Sequence, residues 1–541
     1  MSTATSDPAD TTAGISPTSA RWSPRRLLRS PAFYFVLRRL VTSFFVLLGA
    51  TFLMYMLTVW SGDPRQNFES FPAAIRDNKI AAVTRALDLD QNVILRYLNW
   101  LRGAGGCFVP GVSCDLGKTI DGTQVTAVLG NAISTTLRLV ILALFLAVVL
   151  GVIVGILSAL RQYSGFDYTI TFASFLFYSL PIFWVAVLLK EFGAIKFNNW
   201  LASPTIPIWV SVVAGVLVGL VLSGVIGGNG RRRAIAFGGS LVVVVAVLQY
   251  FSAVDWFARP ALGVGLILVL SLLIALAATS LTAGLAARPV LSSAVITAVL
   301  GTIIGLVLQP VLRNPAISFL VVLLIITVIV SAAVGWFVGG EEYRSPAVRA
   351  AVFTGIGTGL MVLLDRVLSN FARFSDKKFG RPIPTVGDST PNFSGNTWQH
   401  FLDLTTSLLL PTTALILISF ASYTRYTRAS MLEVMNQDYI RTARAKGLTE
   451  RTVVMRHAFR NALIPLTTVV AYDFAAVLGG AVITENVFGW KGMGTLFISG
   501  LKDVNPNVVM AFFLVTGTAA VVFNLLADLL YTALDPRIRL Q

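Results

Sequence analysis

Long apolar runs, interrupted by short polar or basic segments, recur along the chain of 541 residues. Within each run the apolar positions are continuous rather than alternating, and a bilayer core of about 30 Å needs roughly 20 such residues for each helical crossing. Backbone groups in lipid must bond within the segment, so we predict an all-α, polytopic transmembrane helix bundle. Twelve runs qualify, at about 40–60, 132–160, 168–190, 206–226, 234–254, 261–283, 290–312, 316–338, 346–364, 404–423, 462–484 and 507–532.

Basic residues between the runs give this bundle an orientation. They accumulate in the cytoplasmic segments of membrane proteins, and an arginine cluster before the first run places the N-terminus in the cytoplasm. With twelve crossings the C-terminus lies there too. The predicted stretches are a disordered cytoplasmic tail at 1–33, a first span at 34–60, an extracytoplasmic loop region at 61–130, two spans at 131–195, a hydrophobic block of about six spans at 196–370, an extracytoplasmic loop at 371–403, and three spans at 404–541 with a cytoplasmic loop at 424–461.

Composition supports a membrane protein and excludes most soluble classes. Charged residues make up 13% of the chain, hydrophobic residues 55%, and the mean hydropathy is +0.76, whereas about a quarter of a soluble domain is charged. A net charge of +16 can indicate nucleic-acid binding, but here it follows from basic cytoplasmic loops. The two histidines, His400 and His457, lie far apart, so no metal site is predicted.

One segment comes close to a phosphate-binding loop. Residues 111–119 (GVSCDLGKT) place five residues between two glycines, whereas the motif requires four. The segment follows no apolar strand and lies in the predicted extracytoplasmic region. We therefore expect no ATPase and no bound cofactor in this chain, and no catalytic residue is predicted.

The only two cysteines, Cys107 and Cys114, lie in the same region, in a short stretch rich in glycine. A compartment outside the cytoplasm is oxidising, so a disulfide that closes this small loop is one expectation. Two free thiols are the alternative.

The cytoplasmic loop has an ordered plan. Residues 429–465 have helix-forming composition on both sides of Gly447, and Thr449 is placed to cap the second helix. Six basic residues make the loop strongly positive. A rigid docking element accounts for the helix–glycine–helix plan, while an ordinary positive cytoplasmic loop accounts for the charge alone.

The segment DYIRTARAKGL…RHAFRNALIP within this loop resembles the cytoplasmic coupling loop of type I ABC importer permeases. It is most similar to the dipeptide, oligopeptide and nickel permease family, in the first-named permease of each system. The general pattern begins Glu-Ala-Ala, and this chain has Arg441-Thr442-Ala443 there, as peptide-type members do. The resemblance implies an ATPase-coupling role for Asp438, Tyr439, Arg441, Ala443, Ala445, Lys446, Gly447, His457, Arg460, Asn461 and Pro465.

The resemblance extends over about 34–195 and 390–541. It includes Gly62-Asp63-Pro64 after the first span, Ser179-Leu180-Pro181-Ile182-Phe183-Trp184 in the third, and Glu485-Asn486-Val487-Phe488 near the end. It implies a type I importer fold with a six-span core. The block at 196–370 is then an insertion of about six helices between core spans 3 and 4, as a scaffold, a lipid-contacting collar or a partner site.

The same comparison gives candidates for the substrate pathway and gate. Asp473 departs from the family pattern, because that span is usually neutral. A carboxylate inside a membrane is a functional candidate by default, and a hydrogen-bonded residue at a helix interface is the alternative. The candidates are Ser179, Pro181, Trp184, Asp473 and Glu485.

The resemblance implies a permease subunit that forms half of a translocation pathway for di- or oligopeptides in a bacterial cell membrane. Its partners would be a second homologous permease, two ATPase subunits that carry ATP and magnesium, and an extracytoplasmic peptide-binding protein. Nickel, glutathione or another small solute is the alternative within the family. A self-contained ion-coupled secondary transporter is the alternative from another class, and it would need more intramembrane charges and a repeated hydropathy pattern.

Overall fold

The computed structural model describes residues 31–534. The predicted tail, as far as residue 30, and the C-terminal residues 535–541 lie outside this range. Within this range every regular element is a helix, with one isolated bridge between Lys118 and Gln124 and no strand. The predicted all-α class is therefore confirmed. The α-helices are α1 (Pro31–Trp60), α2 (Ala73–Ala86), α3 (Val93–Gly106), α4 (Val125–Leu160), α5 (Gly165–Ser179), α6 (Ile182–Leu188), α7 (Phe197–Leu201), α8 (Ile208–Ile226), α9 (Gly230–Ala253), α10 (Gly263–Thr282), α11 (Arg288–Val307), α12 (Ile317–Val338), α13 (Gly340–Lys377), α14 (Thr397–Met435), α15 (Asp438–Ala445), α16 (Glu450–Thr452), α17 (Phe459–Gly480), α18 (Val482–Phe488), α19 (Met493–Lys502) and α20 (Pro506–Leu534).

Nine helices in residues 31–534 are long and apolar enough to cross a bilayer: α1, α4, α9 to α14, and α20. The pair formed by α5 and the helical segment after it would make a tenth span. This confirms a polytopic membrane protein. The predicted spans at 206–226 and 462–484 coincide with α8 and α17, which are not among the nine. The count of twelve therefore stays a prediction.

The segment of the predicted third span, 168–190, is bent and is not one straight helix. α5 stops at Ser179, and the next helical segment starts at Ile182 and runs at 103° to it. The cause is Pro181, which lacks a backbone N–H and forces the residue before it out of the helical region. Leu180 accordingly has an extended backbone, with φ −81° and ψ 130°.

Two helices are much longer than their apolar runs. α13 has 38 residues and α14 has 39. Both ends of the predicted loop at 371–403 are therefore helical, and only residues 378–396 are non-helical. α14 begins with a capping box, in which the Asn396 and Gln399 side chains each accept the other's backbone N–H. It continues through the predicted cytoplasmic loop as far as Met435.

The permease-like part of the bundle is centred on α4 packed against α14. Gly151 and Gly155 permit this close approach: a Cβ atom at Gly151 would lie 2.6 Å from the Cβ of Tyr423, and one at Gly155 would lie 2.7 Å from the Cβ of Thr427. A side chain at either position would push the helices apart, so the glycines fix their separation.

Helices α10 to α13 form a second packed unit within the hydrophobic block. Its interior consists mainly of small side chains, including Ala275, Ala294 and Ala350, all fully buried. Small residues let helices approach closely in lipid, where packing replaces the hydrophobic effect. Asp365 of α13 accepts the backbone N–H groups of Leu262 and Gly263, at 3.0 and 3.1 Å, and so caps the start of α10.

Direct hydrogen bonds join this unit to the outer end of α14. Asn314 accepts both the backbone N–H and the hydroxyl of Thr397, each at 2.9 Å, and the Trp398 indole donates to the Leu312 carbonyl at 2.7 Å. The hydrophobic block is therefore anchored to the helix that leads to the cytoplasmic loop.

Candidate functional site

The cytoplasmic loop is a folded element. One face of α15 is buried, with Ile440 fully covered and Ala443 nearly so, against a cluster that includes Met431, Val453 and Ala458. The opposite face, with Asp438 and Arg441, is exposed. α15 is thus held rigidly against the bundle and presents a polar, largely basic surface outward.

The predicted break after α15 is confirmed. Gly447 has φ +74°, in the left-handed region that favours glycine. A Cβ atom there would meet nothing within 4 Å, so glycine is needed for the backbone conformation and not for space. The Thr449 side chain accepts the Thr452 backbone N–H at 3.4 Å, as the predicted cap of the next helical turn.

A hydrogen-bonded link closes this helix–glycine–helix element. The Asn461 side chain donates to the Tyr439 hydroxyl at 2.9 Å and to the His457 carbonyl at 3.1 Å. Three of the predicted coupling residues are therefore brought together. The other exposed members of the set are Asp438, Arg441, Ala445, Lys446, Gly447, Arg460 and Pro465.

An ion pair that sequence reasoning missed lies beside this element. Arg444 contacts Glu450 through two hydrogen bonds, at 2.7 and 3.2 Å, and this contact lowers the pKa of Glu450. The two residues line a groove of about 650 Å³ between α14, α4 and the loop, together with Leu160, Met435 and Met455. The loop therefore offers a concave surface of mixed apolar and charged character.

A buried ion pair joins three helices just above the loop. Arg428 of α14 forms a two-point contact with Asp167 of α5, with distances of 2.8 and 2.9 Å. Asp167 also accepts the Ser158 hydroxyl at the end of α4 and the Tyr163 backbone N–H at 3.1 Å. α4, α5 and α14 are thereby fixed to one another at the end of the bundle that carries the loop.

At the other end of the bundle, Glu485 is a buried carboxylate with three donors. It lies on α18 with no exposed surface and accepts the Thr136 hydroxyl of α4 at 2.5 Å and the backbone N–H groups of Gly494 and Thr495 at 2.7 and 3.2 Å. The Thr136 oxygen in turn accepts the Met493 backbone N–H at 2.8 Å. Glu485 thus caps α19 and fastens the α18–α19 turn to α4. We call these residues the Glu485 clasp.

The glycines of this turn make room for the carboxylate. A Cβ atom at Gly492 would lie 2.3 Å from a Glu485 oxygen, and one at Gly494 would lie 2.4 Å from the Val482 Cα. Gly489 has φ +62° and lets the chain reverse after α18. The close packing of the turn therefore depends on both the acid and the glycines.

Residues 378–396, which we call the strap, run from the end of α13 to this turn and on to α14. Gly387 donates its backbone N–H to the Phe488 carbonyl at 2.9 Å. Asn198, beside the start of the hydrophobic block, exchanges two hydrogen bonds with the backbone of Ile383, at 2.8 and 3.3 Å. The ion pair of Lys378 with Asp403, at 2.7 Å, holds the end of the strap on α14 and is almost fully buried.

Replacing Asn198 with alanine is expected to lower the free energy of unfolding by about 1–3 kcal/mol, because the backbone N–H and carbonyl of buried Ile383 lose their partners. The measurement is the thermal unfolding midpoint of the purified chain in detergent. Asn199→Ala is the matched control, since Asn199 is the exposed neighbour. Equal midpoints for the two variants would contradict the strap attachment.

Comparison with known proteins bears on both ends of this bundle. Residues 347–540 match the family of binding-protein-dependent transport system inner membrane components. This range contains the loop, Glu485 with the α18–α19 turn, and most of α13, while Thr136 of the clasp lies outside it. The match covers less than half of the chain, and we call residues 347–540 the permease domain. The predicted resemblance to ABC importer permeases is thus confirmed, and the match begins before the predicted end of the inserted block at 370.

Several curated peptide permeases are similar to this chain. The oligopeptide transport system permease protein OppB of Mycobacterium tuberculosis is 42% identical over 156 residues, which cover 29% of this chain and 48% of that protein. AppB of Bacillus subtilis, also an oligopeptide transport system permease protein, gives the same figures of 42%, 156 residues, 29% and 48%. The dipeptide transport system permease protein DppB of Escherichia coli K12 is 44% identical over 140 residues, 26% of this chain and 41% of that protein. The chain spans less than half the length of these relatives.

The predicted gate residues do not form one cluster around the α18–α19 turn. Ser179, Pro181 and Trp184 are exposed at the bend between α5 and α6, and the Ser179 hydroxyl donates to its own helix, to the Leu176 carbonyl. α6 packs against α18, which carries Glu485. Asp473 of α17 lies instead beside the Tyr423 hydroxyl of α14, an arrangement expected of a residue at a helix interface.

Sequence reasoning missed the partners that join the permease domain to α4 and α5. Thr136 and Glu485 are 349 positions apart, and Asp167 and Arg428 are 261 apart. Neither Asp167 nor Arg428 is among the candidate residues of the sequence analysis. The sulfur atoms of Cys107 and Cys114 are bonded in the structure, in the loop after α3.

Proposed function

We propose that this chain is the transmembrane permease subunit of an ATP-binding-cassette importer for di- or oligopeptides. The observation that carries the proposal is the folded helix–glycine–helix loop at the cytoplasmic end of α14, within a matched permease domain. The printed names of the relatives, which are oligopeptide and dipeptide permeases, support peptides as the substrate class.

In this proposal two ATPase subunits dock on the cytoplasmic loop and carry the ATP and magnesium. α15 and the groove beside it supply the docking surface, with Asp438, Tyr439, Arg441, Lys446 and His457 as contacts. The chain itself performs no covalent chemistry. A second homologous permease completes the pathway, and an extracytoplasmic binding protein delivers the solute, with both termini of this chain in the cytoplasm of a bacterial cell.

Coupling then follows from two states of the bundle, whose balance nucleotide binding shifts. α14 carries motion from the loop, because it is one helix of 39 residues and about 58 Å. The Asp167–Arg428 contact moves α4 and α5 with it. At the outer end, the Glu485 clasp holds the α18–α19 turn against α4 and must move when the pathway opens outward.

Replacing Gly447 with alanine is expected to uncouple ATP hydrolysis from the solute. A residue with a Cβ atom in the left-handed region costs roughly 1–2 kcal/mol, so the loop relaxes and solute-stimulated ATP hydrolysis falls about fivefold or more. The measurement is ATPase activity of the complex obtained by co-expressing this chain with its neighbouring genes and reconstituting it in liposomes.

Gly130→Ala is the control for this experiment. Gly130 lies on α4 with an ordinary φ and open space for a Cβ atom, so its complex should keep normal activity. Equal activity of the two variants, or failure of any ATPase subunit to co-purify with the wild-type chain, would contradict the proposal. Testing peptides, nickel and glutathione as stimulating solutes in the same assay decides the substrate class.

A further inference from the structure

A small pocket lies where the C-terminal end of α1 meets α3 and the start of α20, far along the chain from the cytoplasmic loop. Its volume is about 260 Å³. The lining includes Gly62, Asp63, Arg65, Arg96 and Pro506. Two arginines and one aspartate therefore line this pocket, on the side of the bundle that we assign to the exterior.

Arg96 is the unusual residue of this pocket. It is only 8% exposed, and its Nε atom is buried without a hydrogen-bond partner. None of the ion pairs formed within residues 31–534 includes it. Its charged group lies beside the buried Tyr55 hydroxyl. A buried cation without a counter-ion is costly, and a buried charge normally has a partner.

The second guanidinium is only loosely paired. Arg65 lies 4.0 Å from Asp63 and 3.6 Å from Asp90, and its Nε atom is also buried without a hydrogen-bond partner. Asp63 already accepts the Arg65 backbone N–H at 2.9 Å, while Asp90 is largely exposed to solvent. Neither carboxylate reaches Arg96 within ion-pair distance.

We propose that Arg96 and Arg65 form a binding site for a small oxyanion, either a carboxylate or a phosphate. A guanidinium presents its N–H groups as a planar fork that matches two oxygens of such an anion. An anion held in this pocket would give the buried Arg96 a counter-ion and would offer acceptor oxygens to guanidinium groups whose Nε atoms have no partner. The site is separate from the coupling loop and from the Glu485 clasp, and it does not depend on the proposed transport activity.

The test uses the purified full chain in nanodiscs of zwitterionic lipid, without any ATPase. NMR line broadening of ¹³C-acetate and of inorganic phosphate measures binding to the wild type, Arg96→Gln and Arg102→Gln. Arg102 lies on the same helix but is exposed. We expect saturable binding to the wild type and to Arg102→Gln, and at least a tenfold weaker affinity for Arg96→Gln.

Two further arms identify the source of the anion. If alanyl-alanine binds more tightly than its C-terminal amide, the site is assigned to a peptide carboxylate. If these two dipeptides bind equally and inorganic phosphate binds in its own measurement, the site is assigned to a free oxyanion. If Arg96→Gln lowers the thermal unfolding midpoint, Arg65→Gln replaces it and should weaken binding several-fold. No saturable binding to the wild type, or unchanged binding to a folded Arg96→Gln chain, overturns the proposal.

Discussion

Replacing Glu485 with alanine is expected to abolish solute uptake and to lower the free energy of unfolding by about 3–5 kcal/mol. The change removes the acceptor from the buried Thr136 hydroxyl and Gly494 N–H and from the partly buried Thr495 N–H. Each buried unpaired donor costs about 1–3 kcal/mol. It also leaves a cavity, because Gly492 and Gly494 supply no side chain to fill the space. The measurements are uptake into proteoliposomes and the thermal unfolding midpoint.

Two variants show whether this effect belongs to the clasp. Glu69→Ala removes an exposed glutamate from the extracytoplasmic loop region and should leave both measurements unchanged. Glu485→Gln keeps the volume but turns an N–H₂ group toward donors, so it should fall between the wild type and Glu485→Ala. Normal uptake by a stable Glu485→Ala chain would show that the clasp has no part in gating.

Replacing Arg428 with methionine is expected to destabilise the bundle by about 3–5 kcal/mol, because Asp167 would remain as a buried charge without its cation. The Asp167 side chain is only 3% exposed, although that of Arg428 is 28% exposed, so the carboxylate depends on the guanidinium for most of its stabilisation. Arg76→Met is the matched control, since its ion pair with Asp77 is exposed and should contribute less than about 1 kcal/mol. Thermal unfolding in detergent compares the two.

A double variant separates the loss of the pair from the loss of packing. With Asp167→Leu added to Arg428→Met, no unpaired charge remains, so much of the stability should return. A single Arg428→Met change within about 1 kcal/mol of the wild type would contradict a structural role for the pair.

The spans of this fold were predictable because lipid imposes a simple rule on them. Each apolar run except 168–190, which is broken at Pro181, coincides with a helix. Helix ends were not predictable where charged residues continue a helix beyond the bilayer. α13 and α14 therefore extend past the predicted limits of 364 and 423. The bend at Pro181 follows from ordinary proline chemistry and could have been predicted from Leu180-Pro181 alone.

The candidate site likewise has one part that the sequence predicts and another that it does not. Gly447 and Thr449 act through local backbone conformation, so the break in the cytoplasmic loop could be predicted from neighbouring residues. The Glu485 clasp and the Asp167–Arg428 pair join segments hundreds of positions apart, and no local pattern indicates which helices will be neighbours. The coupling and gating roles of these residues remain predictions.

The hydrophobic block was predicted to be a scaffold, a lipid-contacting collar or a partner site, and its attachments favour a structural role beside the α18–α19 turn. The strap contacts the carbonyl of Phe488 next to the clasp, and Lys378 pairs with Asp403 on α14. A unit joined to the α18–α19 turn in this way is expected to influence whether that turn can move, rather than only to shield the bundle from lipid.

α14 connects the strap to α15, so changes at its two ends are expected to affect each other. Its outer end is bound by the strap and its inner end leads directly into α15. When two sites bias the same equilibrium, each changes the other by the same free energy. A substitution or antibody that stabilises one position of the strap should therefore alter nucleotide affinity on the opposite side of the membrane, and nucleotide should alter antibody affinity by the same factor.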